Sequence, residues 1–215
     1  MKKIARAAAL IGLSMLAISA LAQSTGDAAA KPDVNVGDRW VLQHTNGMSN
    51  EKDYTSIDSV VGVTDNEIKL QLKIKGKPNS VIQTFTREWN PVDMSDAKFD
   101  PFLKNFEFPL QTGKKWKASA DKMVFSNGKH GKFYLKGEVV AFEKITVPAG
   151  TFDAYKVSLE VEASGTDEEA NSGKTIETLW YAPAVKHCVK TIHELTREGS
   201  VRSKDINELL EYSLR

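Results

Sequence analysis

From Glu67 to Lys75 the chain alternates strictly between apolar and polar residues. Ile68, Leu70, Leu72 and Ile74 fall on one side; Glu67, Lys69, Gln71, Lys73 and Lys75 fall on the other. A period of two belongs to an extended strand, and a strand dressed in this way has one face in a core and one in water. Tyr155, Val157, Leu159 and Val161 repeat the pattern against Lys156, Ser158, Glu160 and Glu162. Weaker alternation runs through 40–45, 56–63, 81–87, 133–142, 175–181 and 185–196. No long segment carries a helical period. Many strands, each buried on one side, must wrap a common core. The chain is therefore expected to be mainly β, an antiparallel meander forming a curved sheet or half-open barrel.

The breaks between these runs carry turn chemistry: Asp65-Asn66, Gly76-Lys77-Pro78-Asn79, Asn127-Gly128 and Pro148-Ala149-Gly150. Short connections favour antiparallel neighbours. The longer acidic stretch 164–173 reads as a solvated hairpin loop. One interior segment departs from the pattern. Asp100-Pro101 offers a cap followed by a proline, and Phe99, Phe102, Leu103 and Phe106 recur three and four apart. This predicts one short helix of about two turns, or a Phe-rich plug, laid against the apolar side of the sheet. The segment also divides two halves that begin alike, Val36-Gly37-Asp38-Arg39-Trp40 and Thr112-Gly113-Lys114-Lys115-Trp116, a hint of a duplicated β unit. At the C-terminus, Leu210, Tyr212 and Leu214 alternate as a strand, while Ile206, Leu209, Leu210 and Leu214 also fit a helix face. A closing strand over 210–214 is the expectation.

The N-terminus reads as an export leader. Lys2, Lys3 and Arg6 precede an apolar run from Ala7 to Leu21, which ends in the small-x-small pattern Ala20-Leu21-Ala22. The run is shorter than the stretch of about 20 residues that spans a bilayer, and the pattern predicts cleavage between Ala22 and Gln23. No cysteine stands near the cut. The expected organisation is a signal peptide over 1–22, a flexible tether over 23–35 and one β-rich domain over 36–215, periplasmic or secreted, with no stable transmembrane anchor after cleavage.

Charge narrows the partners. The full chain has 29 Lys+Arg and 28 Asp+Glu; without Lys2, Lys3 and Arg6 the balance is 26 to 28, a net charge of −2. So nearly neutral a chain gives no electrostatic case for nucleic acid, which requires a concentrated basic face, and no nucleic-acid partner is expected. Cys188 is the only cysteine, so an internal disulfide is impossible, and it is expected to be a small buried hydrophobe.

Ile145-Thr-Val-Pro-Ala-Gly-Thr-Phe-Asp-Ala-Tyr-Lys-Val157 carries a resemblance, together with 108–116 (FPLQTGKKW) and 179–190 (LWYAPAVKHCVK). In these motifs the chain resembles a bacterial exported β-rich family of unknown function, some of whose members are likened to the lipoprotein carriers LolA and LolB. The resemblance spans roughly residue 36 to the end. It implies a concave antiparallel sheet with an apolar interior and supplies no catalytic residues. Many members of that family carry glycine near Lys186-His187, so the His187-Cys188 pair departs from the usual pattern.

Tests for specific chemistry end mostly in exclusion. His187, Cys188, His193 and Glu194 resemble a set of metal ligands, but neighbours on a strand face opposite ways. His187 and His193, six residues apart, would lie about 20 Å from one another, so neither a metal site nor any cofactor is expected. Ser49-x-x-Lys52 and Ser119-x-x-Lys122 lack the companion motifs of the penicillin-recognising enzymes. Gly173-Lys174-Thr175 has Glu168 where a phosphate loop needs glycine. Asp93, Asp96 and Asp100 miss calcium-loop spacing. The aromatic residues remain. Trp89 at a strand end, Phe99, Phe102, Leu103 and Phe106 in the plug, and Trp180 are the candidate ligand-binding residues. The expectation is a non-enzymatic exported domain that binds an apolar or amphipathic ligand, a lipid or an envelope partner. Its rivals are a structural module with a filled core and, last, an envelope hydrolase built on Ser119 or Asp93.

Overall fold

The computed structural model describes residues 28–125, 128, 130–165 and 173–215. The leader over 1–22, Asn127 and most of the acidic loop lie outside them. Twelve strands follow in order: β1 (Arg39–Asn46), β2 (Glu51–Val63), β3 (Glu67–Ile74), β4 (Ser80–Thr86), β5 (Pro91–Met94), β6 (Ala97–Asp100), β7 (Lys115–Phe125), β8 (His130–Val147), β9 (Gly150–Gly165), β10 (Gly173–Ala182), β11 (His187–Arg197) and β12 (Ser200–Ser213). Every strand pairs antiparallel with its neighbours in sequence, and β12 returns to pair with β1 from Arg39↔Ser213 to Asn46↔Asp205. The curvature expected of the meander thus continues until the sheet closes into a barrel, which leaves no edge strand among the described residues.

Alternation sets the faces as expected. Ile68 and Leu70 of β3 are buried while Lys69 and Lys73 are exposed. Tyr155, Val157, Leu159 and Val161 of β9 all point into the core. The turns use the residues singled out for them. Val147 faces Gly150 across Pro148-Ala149, and Gly150 takes φ 134°, where a side chain would be strained.

Three expectations are corrected. The Phe-rich segment forms no helix; the one helical turn among the described residues is a 3-10 turn at Pro183–Val185. Its backbone finds tertiary partners instead. Leu103 N–H donates to Pro91 O at 2.9 Å, Phe106 N–H donates to Asn90 Oδ1 at 2.7 Å, and Lys104 O accepts from Trp116 Nε1 at 2.9 Å. Each of these replaces a bond that a helix would have made internally. The plug reading survives, because Leu103 and Phe106 are buried in the main core.

Secondly, residues 28–35, expected within a flexible tether, pack against the barrel. Ala29 exchanges two backbone hydrogen bonds with Leu110, at 2.9 and 2.8 Å, and Val34 is buried. One valine and one alanine in a polar stretch carry no periodic signal, yet each fills a site that the closed barrel offers.

Thirdly, the C-terminal strand is longer than 210–214, and Leu209 is its fully buried leucine. A bulge at Val41/Leu42 shifts the pairing by one residue and turns the other phase inward.

Closure is locked by Asp38, which is fully buried. Its carboxylate accepts from the backbone N–H groups of Asn35 (2.9 Å) and Arg215 (2.6 Å) and pairs with Lys186 Nζ at 3.2 Å. The chain before β1, the turn before β11 and the C-terminus therefore meet at one side chain.

Candidate functional site

The barrel is not filled evenly. Around β8 and β9 the interior is dense, with Leu135, Val139, Val157 and Leu159 fully buried. On the opposite side, between the β1–β4 wall and the β10–β12 wall, lies a cavity of about 420 Å³. Register explains its polar lining. Tyr54, His44, Asn207 and Thr191 are successive cross-strand partners from β2 through β1 and β12 to β11. Asp205, His193 and Glu177 form a second row across β12, β11 and β10. Side chains in one row of a sheet share a face, and here that face is the interior.

The two ends of the cavity differ. Asp53, Tyr54, His193 and Asp205 are exposed and mark its mouth. Its depth is apolar and aromatic: Leu70, Trp89, Phe106 and Tyr181 are buried there. The His187 ring stacks on Trp40, centroids 4.7 Å apart, and meets Trp89 edge-on at 4.9 Å. Both indoles are held by backbone oxygens of the helical turn and its cap, with Trp40 Nε1 donating to Val185 O and Trp89 Nε1 to Lys186 O, each at 2.8 Å. Trp89 adopts φ 60°. A left-handed conformation at so bulky a residue costs on the order of 1–3 kcal/mol and survives only where the surroundings enforce it. Thr86 and Asn90 on either side do so through local hydrogen bonds.

Burial sets the ionisation of this lining. It pushes Asp58 up to about 6, opposed by a hydrogen bond with Ser56, and His187 down to about 4, opposed by the Cys188 backbone. His44 is likewise lowered by burial. At the mouth, a hydrogen bond with Glu177 raises His193, the two groups 3.4 Å apart. Cys188, free and buried, is pushed up to about 12 by burial, so it is an unreactive thiol at neutral pH.

Asp58 Oδ1, Asn105 Oδ1 and Asn207 Oδ1, all on the cavity, are buried without a hydrogen-bond partner. Among the described residues no three His, Cys, Asp or Glu side chains converge as metal ligands. His187 and His193 do line the same cavity, one at its depth and one at its mouth.

Of the six residues marked from the sequence, Trp89 and Phe106 line the cavity. Leu103 is buried in the core beside them, and Phe102 is half-buried. Phe99 packs edge-on against Phe133 at 5.7 Å. Trp180 lies on the other face of β10, donating to Glu143 Oε1 at 2.8 Å beneath the Lys156 ammonium. Ser119 is exposed on β7, and Asp93 pairs with Lys98 at 2.8 Å; neither reaches the cavity. The polar residues of the site, Asp58 above all, carry no motif. The available signal is phase: Tyr54, Ser56 and Asp58 precede Val60 at the inward positions of one strand, where apolar residues are the norm.

No protein-family profile matches the chain, and no curated protein is similar to it. Solved structures do share its fold. A protein assigned as a lipoprotein from Parabacteroides distasonis superposes with a TM-score of 0.56 at 16% identity, covering 87% of this chain and 100% of its own. A protein assigned as exported, of YmcC-like fold, from Bacteroides fragilis gives 0.54 at 14%, with the same coverage. What these likenesses show is the fold, at identities too low to carry an activity.

Proposed function

We propose that the chain is an exported, non-enzymatic barrel of the bacterial envelope that holds a small amphipathic molecule in its interior. The observation that carries this reading is the cavity itself. At about 420 Å³ it falls within the range of roughly 300–1,000 Å³ that small-molecule sites occupy. It joins an aromatic depth to a few convergent polar groups, three of them unpartnered acceptors. A purely structural barrel would be expected to fill this space with side chains. Export is supported by the leader pattern ending at Ala22 and by the assignments of the two structural neighbours. Phe106 belongs to the wall rather than to a lid, because Asn90 binds both its N–H and its carbonyl.

Native mass spectrometry of protein purified from the periplasm without detergent is expected to show a mature chain starting at Gln23. The neutral apolar probe N-phenyl-1-naphthylamine is expected to bind saturably at one site. Thr191→Phe, which fills the cavity from β11, should weaken that binding about tenfold with the β-sheet circular dichroism unchanged. A wild type that neither copurifies with a small molecule nor binds the probe would sink the reading.

A further inference from the structure

We infer that the molecule held in this cavity is an organic cation, an amphiphile whose protonated amine meets Asp58 and whose apolar part lies against Trp89 and Phe106. This deepens the reading above and rests on it. Among the described residues four carboxylates line the cavity, those of Asp53, Asp58, Glu177 and Asp205, and no lysine or arginine does. Glu177 is answered by His193. Asp58 is not answered by any cation, although it is 5% exposed and its Oδ1 has no hydrogen-bond partner. A buried carboxylate in this condition is costly unless a donor reaches it, and a charged donor offsets the most. Its pKa near 6 is the direction expected of a carboxylate with no cation beside it.

The remaining features agree in sign. Asn105 and Asn207 add two further unpartnered acceptors, so the cavity asks for hydrogen-bond donors. Trp89 and Tyr181 supply π faces, which attract cations in a dry site. Asp53 and Asp205 at the mouth draw positive charge inward. An anionic head group would meet carboxylates with no fixed cation to receive it.

Strand geometry does not explain Asp58. Trp40 faces Asp58 across β1–β2 just as Trp116 faces Gly137 across β7–β8. At Gly137 the indole lies directly on the backbone, where an added Cβ would come within 2.1 Å of it. The same position in the first half carries a carboxylate instead, aimed into the cavity.

Calorimetry at pH 7.5 with octylammonium, octanoate and 1-octanol separates the possibilities. Octylammonium is expected to bind at least tenfold more tightly than octanoate. Asp58→Asn, close to isosteric, should remove about tenfold of the octylammonium affinity while leaving 1-octanol unchanged. Equal affinity for all three, or a preference for octanoate, would overturn the cation assignment and leave the cavity reading standing. Failure of all three to bind would overturn both. The wild-type ranking decides the matter even if the variant does not fold.

Discussion

A buried and a half-buried group on the cavity, Asp58 and His187, should tilt the stability of the fold in opposite directions with pH. Asp58 has its folded-state pKa raised from 3.8 to about 6, so the folded protein binds more protons than the unfolded chain between those values. Its burial therefore costs stability above pH 6, and the cost disappears as pH falls toward 4. His187 is lowered from 6.5 to about 4, so it contributes stability that is lost as pH falls through the same window. The two offset each other in the wild type. Asp58→Asn removes one side of the balance. It should stabilise the protein at pH 7.5 by about 1–3 kcal/mol, the value of a displacement of this size, and lose that advantage by pH 4. Urea midpoints at the two pH values measure it. A variant less stable than wild type at pH 7.5 would mean that Asp58 has a compensating partner in the fold.

At the level of the strands, the pair β7–β8 is specified by close packing of an indole on glycine. Trp116 covers Gly137 so tightly that Ala at 137 must displace the ring, which also donates to Lys104 O and so anchors the Phe-rich segment. Overpacking of this kind costs typically about 1–3 kcal/mol. Gly137→Ala is expected to lower stability by that amount and to shift the Trp116 fluorescence. An unchanged denaturant midpoint would show that the ring moves freely, and with it the segment carrying Leu103 and Phe106. The same dependence explains why that segment forms no helix. Its three-and-four spacing buries Leu103 and Phe106, but Asn90, Pro91 and Trp116 claim the backbone groups that helical bonds would have used.

The whole molecule is a ring of uneven strength whose two halves open alike. Gly37 N–H donates to Val60 O and Val60 N–H to Asp38 O; Gly113 N–H donates to Val139 O and Val139 N–H to Lys114 O. Both glycines have positive φ, 95° and 87°, and each register then slips just beyond the valine. The echo between residues 36–40 and 112–116 is thus matched in backbone geometry. The ring is thinnest at β5, which pairs with β4 through Thr84↔Asp93 and Phe85↔Pro91 and with β6 through Asp93↔Lys98 and Met94↔Ala97. The β8–β9 ladder, by contrast, runs from Gly131↔Gly165 to Val147↔Gly150. Local opening follows the density of such contacts. Amides of β5 and β6 should exchange with solvent at least about tenfold faster than those of 133–139 and 155–159. Uniform protection around the barrel would show instead that Asp38 and the plug stiffen this seam as much as the long hairpin.

The sequence by itself determined the class of fold, because a period of two in β3 and β9 leaves a strand no choice of face and because turn residues mark the reversals. It also determined which residues open each half, since Gly-x-x-Trp combines a positive φ with an indole that must be buried. The tertiary structure decided the rest. Closure depends on β12 meeting β1, from Arg39↔Ser213 to Asn46↔Asp205, at opposite ends of the barrel sequence, with a bulge that selects Leu209 over its neighbours. The fate of the Phe-rich segment depends on partners at Asn90 and Trp116 that local spacing does not contain. The cavity depends on which inward positions of distant strands share a row, and alternation alone does not tell an inward polar residue from an outward one until the phase of each strand is set. Asp58, His44, Glu177 and Asp205 are unremarkable charges and rings along the chain; closing the barrel places them around one space.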